Sequence, residues 1–280
     1  MNAFQAIVLG IIQGVAEFLP ISSSGHLKII ERIMGLGDVE GNFAFFDVML
    51  HFGTLVAVFI AYRKDIAELL SELLTMIHLK KRPQQQHADI PARRLMLMIV
   101  VSLLPLFLIL PFKSKIEALG TGEHGMEFIG AALIVTGMLL YFSDRFAKGR
   151  KNEKNMTVVD ALLVGAAQAV AVVPGLSRSG TTISAGMARG FDRTFAVRFS
   201  FLMSIPTVLA ATLLQVIDAV QVGLGGLSIW ACLLGMVVAG VCGYFAIRLL
   251  KFIAEKNRFG GFAYYCWAAG LVALILSLVS

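Results

Sequence analysis

The sequence predicts an all-α polytopic membrane protein: six transmembrane helices plus two re-entrant helix hairpins in an inverted-topology repeat. Three observations carry that prediction: an apolar bulk composition, six long apolar runs, and a duplication at a constant offset of 155 residues, Gly10 onto Gly165. Of the 280 residues, 58% are hydrophobic and 15% charged, with a mean hydropathy of +0.81. A soluble domain carries about 25% charged residues. So much apolar side chain exceeds what one water-soluble core buries, which makes the bilayer the solvent for much of it.

The six runs lie near 43–62, 95–112, 126–142, 195–217, 227–250 and 262–279. Each approaches the roughly 20 residues that a helix needs to cross a hydrocarbon core. Two more apolar segments, 3–19 and 158–173, end at Pro/Ser/Gly clusters and are followed by only short stretches of further helix. The net charge of +6 sits in loops between apolar runs and forms no basic face interleaved with aromatics. That pattern excludes a nucleic-acid partner and fits cationic loops beside an anionic leaflet. Cys232, Cys242 and Cys266 all lie inside apolar runs, without ligand spacing, and read as packing residues. The N-terminus lacks the basic region and cleavage site of a signal peptide, so residue 1 is expected in the mature chain.

Residues 10–29, GIIQGVAEFLPISSSGHLKI, align with 165–184, GAAQAVAVVPGLSRSGTTIS, with seven of twenty positions identical. Gln, two Ser and Gly recur in register, which chance matching of apolar residues does not produce. The likeness continues downstream, where 46–54 aligns with 199–207. The chain thus reads as one membrane domain, 1–280, with a first repeat over about 1–145 and a second over about 156–280. Three spans between the two Ser/Gly hairpins invert the second copy, so the interrupted helices meet near the midplane. Loops 63–94, 145–157 and 248–259 hold most of the Lys and Arg. The positive-inside rule makes that side cytoplasmic, so the first hairpin enters from outside and the second from the cytoplasm.

Ionisable groups inside a bilayer are costly and are candidates for function. Here they are Glu17, Asp47, His51 and Arg178, with His26 at the first hairpin. Gln13 and Glu17 share a helix face, as do Asp47 and His51. Pro20 stops one helix before Ser22, Ser23, Ser24, Gly25 and His26 open the next. Pro174 and Gly175 do the same before Ser177, Arg178, Ser179, Gly180 and Thr181. Each polar cluster falls at a helix N-terminus, where free amides and the helix dipole favour an anion. Serine hydroxyls add donors, and a guanidinium grips phosphate with a planar fork. Arg178 and the helix ends supply charge stabilisation for phosphoryl transfer, Ser23 or His26 the nucleophile, and Glu17 or His26 the proton handling. Gln13, Ser22, Ser24, Gly25, Ser177, Ser179, Gly180 and Thr181 are candidate substrate ligands.

The two motifs, 13–26 and 174–182, resemble the signature motifs of the bacterial undecaprenyl pyrophosphate phosphatase family of bacitracin-resistance proteins, and the resemblance spans nearly the whole chain. It implies hydrolysis of undecaprenyl pyrophosphate to undecaprenyl phosphate and inorganic phosphate, recycling the carrier lipid for cell-wall synthesis and conferring bacitracin resistance. It also implies dependence on a divalent cation, Ca²⁺ or Mg²⁺, and places Glu17, Ser23, His26 and Arg178 on the family's essential positions. Many members carry Glu where this chain has Gln13, so no metal ligand is assigned. The expected setting is the bacterial plasma membrane, multi-pass, among membrane lipids, with the site opening to the periplasmic side and a homodimer open as an assembly state.

Plainer readings stand beside these. Glu17 also fits a buried neutral carboxyl, and His26 a helix-capping histidine. Ser22, Ser24, Ser177 and Ser179 fit N-caps, Arg178 an interfacial residue, and Asp47 with His51 a structural support. Arg189, Arg193 and Arg198 read as interfacial anchors. The rival function is a lipid-phosphate flippase or transporter, because inverted repeats with midplane half-helices mark transporters. A channel fits less well, since its filter repeats equivalent loops in a symmetric oligomer.

Overall fold

The computed structural model describes residues 1–36, 44–77, 91–146, 149–222, 228–256 and 259–278. Twelve α-helices organise them: α1 (Ala3–Phe18), α2 (Ser23–Ile33), α3 (Ala44–Ala61), α4 (Arg63–Met76), α5 (Pro91–Ile109), α6 (Lys113–Glu117), α7 (Gly125–Phe146), α8 (Val158–Val170), α9 (Arg178–Ala188), α10 (Arg193–Val222), α11 (Ile229–Glu255) and α12 (Gly260–Leu278). Five stretches are long and apolar enough to cross a membrane, beginning with α5 (with the short turns after it) and continuing with α7, α10, α11 and α12. Helices α3 and α4 qualify only together, bent by 81°. All six expected runs therefore appear as helix, although positions 43, 227 and 279 lie outside the described residues.

Helices α1 and α8 are different. With 16 and 13 residues at 1.5 Å each, they reach only about 24 and 20 Å, short of a hydrocarbon core of about 30 Å. Each starts at a capping box, Asn2 with Gln5 and Thr157 with Asp160, which satisfies amides left over at a helix start. Each is followed by an 11-residue helix, α2 or α9, beginning 155 positions apart.

Two expected loops depart from expectation: 248–259, because α11 runs on to Glu255, and 63–94. Residues 63–94 read as a loop, but α4 occupies Arg63–Met76, and 78–90 lie outside the described residues. The sequence RKDIAELLSELLTM is too charged to register as a membrane run, yet Ile66 and Leu69 recur at helical spacing and pack on the core. This is an amphipathic helix along the edge of the bundle.

Packing follows small residues, as it does when lipid rather than water surrounds the helices. A Cβ on Gly10 would lie 2.7 Å from the Gly235 carbonyl oxygen of α11, and one on Gly14 2.5 Å from that of Ala239. Gly165, the counterpart of Gly10, presses against Ser102 of α5. Each short helix is thus seated on a long helix from the other half of the chain. Helices α7 and α12 meet at Gly130 and Gly270, each facing the other's carbonyl. Outward faces stay apolar at helical spacing, as at Val237, Val241, Phe245, Leu249 and Phe252 of α11. Such a stripe is unfavourable in water and natural in a bilayer.

The loop end of α8 carries a polar clasp outside the membrane-crossing helices. Asp160 is fully buried and takes Lys151 Nζ at 2.8 Å and Arg189 Nε at 2.9 Å. Burial alone pushes this carboxyl up, but hydrogen bonds from Lys151, Thr157 and Arg189 outweigh it and bring it down to about 2. A depressed folded-state value means that the clasp stabilises fully above the unfolded-state pKa of about 3.9 and is lost as pH falls towards 2. Thermal unfolding in detergent should show Asp160→Asn less stable than wild type at pH 6, with the gap closing by pH 2–3. A gap that persisted unchanged at pH 2–3 would show that ionisation of Asp160 is not its source.

Candidate active site

The tips of the two hairpins meet. Ser24 Oγ accepts from the Gly175 amide at 3.2 Å, while Ser179 Oγ donates to the Leu19 carbonyl at 3.2 Å. Ser24 and Ser179 are 155 positions apart, so equivalent serines in the two copies each reach across to the other turn. Gly175 makes the second turn at φ +83, where a Cβ would also come within 2.9 Å of Ile129 Cα. Its positive φ favours glycine. Ser22 holds φ 73 without that freedom, a strain of about 1–3 kcal/mol of the kind found at functional sites.

Local capping is duplicated as well. Ser22 Oγ accepts from Gly25 N at 3.2 Å, and Ser177 Oγ accepts from Gly180 N at 3.0 Å. Ser22 and Ser177 are therefore N-caps, whereas Ser24 and Ser179 bridge the hairpins. The amides of Ser23 and Ser24 and those of Arg178 and Ser179 donate to nothing among the described residues, leaving two helix starts open to an anion.

The charged centre lies between these starts. Arg178 Nη2 meets Glu17 Oε1 at 2.6 Å, Ser23 Oγ donates to Glu17 Oε2 at 2.7 Å, and Gln13 Nε2 donates to the same oxygen at 3.2 Å. The Glu17 side chain is only 9% exposed and that of Arg178 21%. A cavity of about 420 Å³ opens beside them, lined by Glu17, Ser22, Ser23, Ser24, Ser177 and Arg178, by Lys113 and Glu117, and by many apolar residues such as Leu103, Leu106, Phe107 and Leu214. A polar end and an apolar wall suit a lipid with a charged head.

Not every expected residue faces this cavity. Gln13, Gly25, His26, Ser179, Gly180 and Thr181 do not line it. The His26 ring sits 5.5 Å from Tyr265 in a near-parallel stack. Its Nδ1 lies 2.7 Å from the Ser22 carbonyl and its Nε2 2.9 Å from the Tyr265 hydroxyl. A carbonyl only accepts, so Nδ1 carries the proton and Nε2 accepts from tyrosine. Both nitrogens are engaged away from the cavity.

Other residues enter that the motifs did not flag. Gln168 lines the cavity, is 3% exposed, and its amide nitrogen and oxygen have no partner among the described residues. Buried polar atoms of that kind ask for a ligand or water. Its match to Gln13 in the repeat was the signal that pointed to it. Thr136 of α7 accepts from the Ser177 amide at 3.1 Å, and Ser200 meets Thr182 at 2.6 Å, fixing α9 from two sides. His51 lines the cavity as well, whereas Asp47 does not.

As a cation site the side chains do not suffice. Among the described residues no three of His, Cys, Asp and Glu gather, and both Glu17 oxygens already hold donors. Hard divalent cations require a larger set of oxygens. Among the described residues, the side chains alone do not form a resident site for Ca²⁺ or Mg²⁺.

A family model described as bacitracin resistance protein BacA matches residues 6–272. Proteins named undecaprenyl-diphosphatase are similar over the full length. The one from Alkaliphilus metalliredigens is 38% identical over 280 residues, 100% of both chains. That from Halothermothrix orenii is 38% identical over 99% of each chain. The Carboxydothermus hydrogenoformans protein is 37% identical over 99% of this chain and 98% of its own. The chain therefore belongs to the bacitracin resistance protein BacA family.

Proposed function

We propose that this multi-pass membrane protein hydrolyses undecaprenyl pyrophosphate to undecaprenyl phosphate and inorganic phosphate, returning the carrier lipid to cell-wall synthesis and conferring bacitracin resistance. One observation carries the reading: Glu17, Ser23 and Arg178, from two separate hairpins, form a single hydrogen-bonded unit on the wall of a cavity that is otherwise largely apolar. The full-length likeness to proteins named undecaprenyl-diphosphatase supports the substrate.

The chemistry follows from the contacts. The diphosphate end displaces Glu17 from Arg178, whose guanidinium then neutralises the terminal phosphate, aided by the open amides of both helix starts. Ser23 already donates to Glu17, so the carboxylate takes its proton as Oγ attacks the terminal phosphorus. The anhydride bond breaks and lipid phosphate leaves as a stable anion that needs no proton. Gln168 supplies further ligands from the second copy. Ser22 and Ser177 hold their helix starts, and Ser24 and Ser179 hold the hairpins together. Between the two nucleophiles open to sequence reasoning, Ser23 is favoured, because His26 is committed to Ser22 and Tyr265.

A divalent cation, Ca²⁺ or Mg²⁺, would be held largely through the substrate's phosphates beside Glu17 and Arg178 and would supply charge neutralisation there. Calorimetry should detect no stoichiometric Ca²⁺ binding to the lipid-free protein, while chelator abolishes turnover. Tight 1:1 binding without lipid would contradict this.

The two halves are arranged as inverted repeats within one domain, 1–145 and 156–280, with α1–α2 and α8–α9 as re-entrant hairpins. Equal lengths of α2 and α9, matching caps and reciprocal serine bridges support that arrangement. The protein lies in the bacterial plasma membrane with its cationic loops inside and its cavity open to the periplasm. The same inverted architecture favours the rival reading, a flippase. Purified protein in detergent, where no transport exists, should release phosphate from a polyprenyl diphosphate; silence there would favour the flippase.

A further inference from the structure

The geometry points to His51 as the base that activates water in the second half of the reaction, a role separate from that of Glu17. The inference rests on Ser23 acting as nucleophile. His51 Nδ1 lies 2.9 Å from the Asp47 carbonyl one turn earlier in α3. A carbonyl oxygen only accepts, so Nδ1 carries the hydrogen and Nε2 keeps its lone pair. Among the described residues Nε2 has no hydrogen-bond partner, and His51 lines the cavity that holds Glu17, Ser23 and Arg178. His26 is the opposite case, with both nitrogens used. Of the two histidines around the site, only His51 keeps a free basic nitrogen.

The proton count requires such a group. In the first step the Ser23 Oγ–P bond forms, the anhydride O–P bond breaks, and the serine proton moves to Glu17. In an acyl-transfer hydrolase the base then returns its proton to an amine leaving group and is free to activate water. Lipid phosphate departs as an anion and takes no proton, so Glu17 remains a carboxylic acid. In the second step a water oxygen bonds to phosphorus while the Ser23 Oγ–P bond breaks. Glu17 restores the proton to Oγ, and the water proton goes to His51 Nε2. Inorganic phosphate leaves with the remaining hydrogen of the water, and His51 later passes its proton to solvent. Atoms and charges balance, with one proton released per turnover. The second copy offers no equivalent base: Ser204, aligned with His51, donates to the Phe201 carbonyl. Asp47 lies outside the cavity lining and contributes its carbonyl.

Rapid quench with polyprenyl diphosphate labelled in its terminal phosphate tests this. In His51→Gln, labelled phosphoserine at position 23 should build up towards one per chain, while phosphate release falls by about 10²–10⁴-fold. In His51→Ala, added imidazole should restore release. Accumulated label itself shows that the variant folds and attacks substrate. Wild-type release by His51→Gln overturns the inference, and so does a variant that neither accumulates label nor, as His51→Ala, responds to imidazole. The serine reading fails differently: label then reaches position 23 in neither the wild type nor either variant, although the wild type turns over.

Discussion

Arg178→Ala should lower phosphate release by about 10³-fold or more, the range lost when a charge-stabilising arginine is removed from a phosphoryl-transfer site. Two effects combine. The terminal phosphate loses its planar cation, and Glu17, only 9% exposed, loses the partner at 2.6 Å that balances its charge. Breaking a buried pair from one side costs about 3–5 kcal/mol, so the variant should also melt earlier. Arg178→Lys separates the two. It keeps the charge beside Glu17 and should regain most of the stability, but a point charge lacks the fork that fits phosphate and should recover only part of the rate. Phosphate release and detergent-phase melting on both variants check this. An Arg178→Ala protein with wild-type turnover would remove Arg178 from the mechanism.

Ser23→Ala should be nearly inert, with a loss on the order of 10⁴-fold or greater, the scale seen when a covalent nucleophile is deleted. Its fold should lose far less than its rate. The change removes one small hydroxyl from a half-buried position and one hydrogen bond to the Glu17 carboxylate, worth about 1.5–3 kcal/mol, while Arg178 and Gln13 still hold that group. His26→Ala is the contrasting variant. It removes the link to Tyr265 and the bond to the Ser22 carbonyl, so it should act through the shape of the first hairpin. Steady-state release for both, compared with melting temperature, tells them apart: Ser23→Ala loses rate far beyond its small loss of stability, and His26→Ala loses both together. Rate loss confined to His26→Ala would transfer the nucleophile to His26.

Much of this site was legible because it is written twice. Gln, Ser, Ser and Gly in register at an offset of 155 marked both turns, and the helix starts at Ser23 and Arg178 keep that offset. Proline and glycine announced where α1 and α8 stop. Helix α4 escaped notice because its charges, Arg63, Lys64, Asp65, Glu68 and Glu72, mask an apolar stripe that only tertiary packing reveals. Long-range partners were invisible for a different reason. Tyr265 lies 239 positions from His26, and no local pattern joins a tyrosine on one apolar helix to a histidine on another. Arg189, Arg193 and Arg198 likewise read as interfacial anchors, yet each finds an aspartate: Asp160, Asp144 and Asp65. Sequence alone shows the cation and leaves its partner, 29 to 133 positions away, to the fold.

The division of labour between copies has a physical logic. The two helix starts carry similar caps but unequal residues at the offset of 155: Ser23 aligns with Arg178, and Glu17 with Val172. In the proposed reaction one hairpin would supply nucleophile and base and the other the cation, so turnover would depend on the tips staying in contact through Ser24 and Ser179.

The most direct test is an experimental structure of the protein with a polyprenyl methylenediphosphonate, whose carbon bridge resists cleavage. Its terminal phosphonate should lie between the two helix starts, within hydrogen-bond distance of Arg178 and Ser23, with the prenyl chain along Leu103, Phe107 and Leu214. A head group bound elsewhere, or hairpin tips that stand apart with the ligand in place, would contradict it.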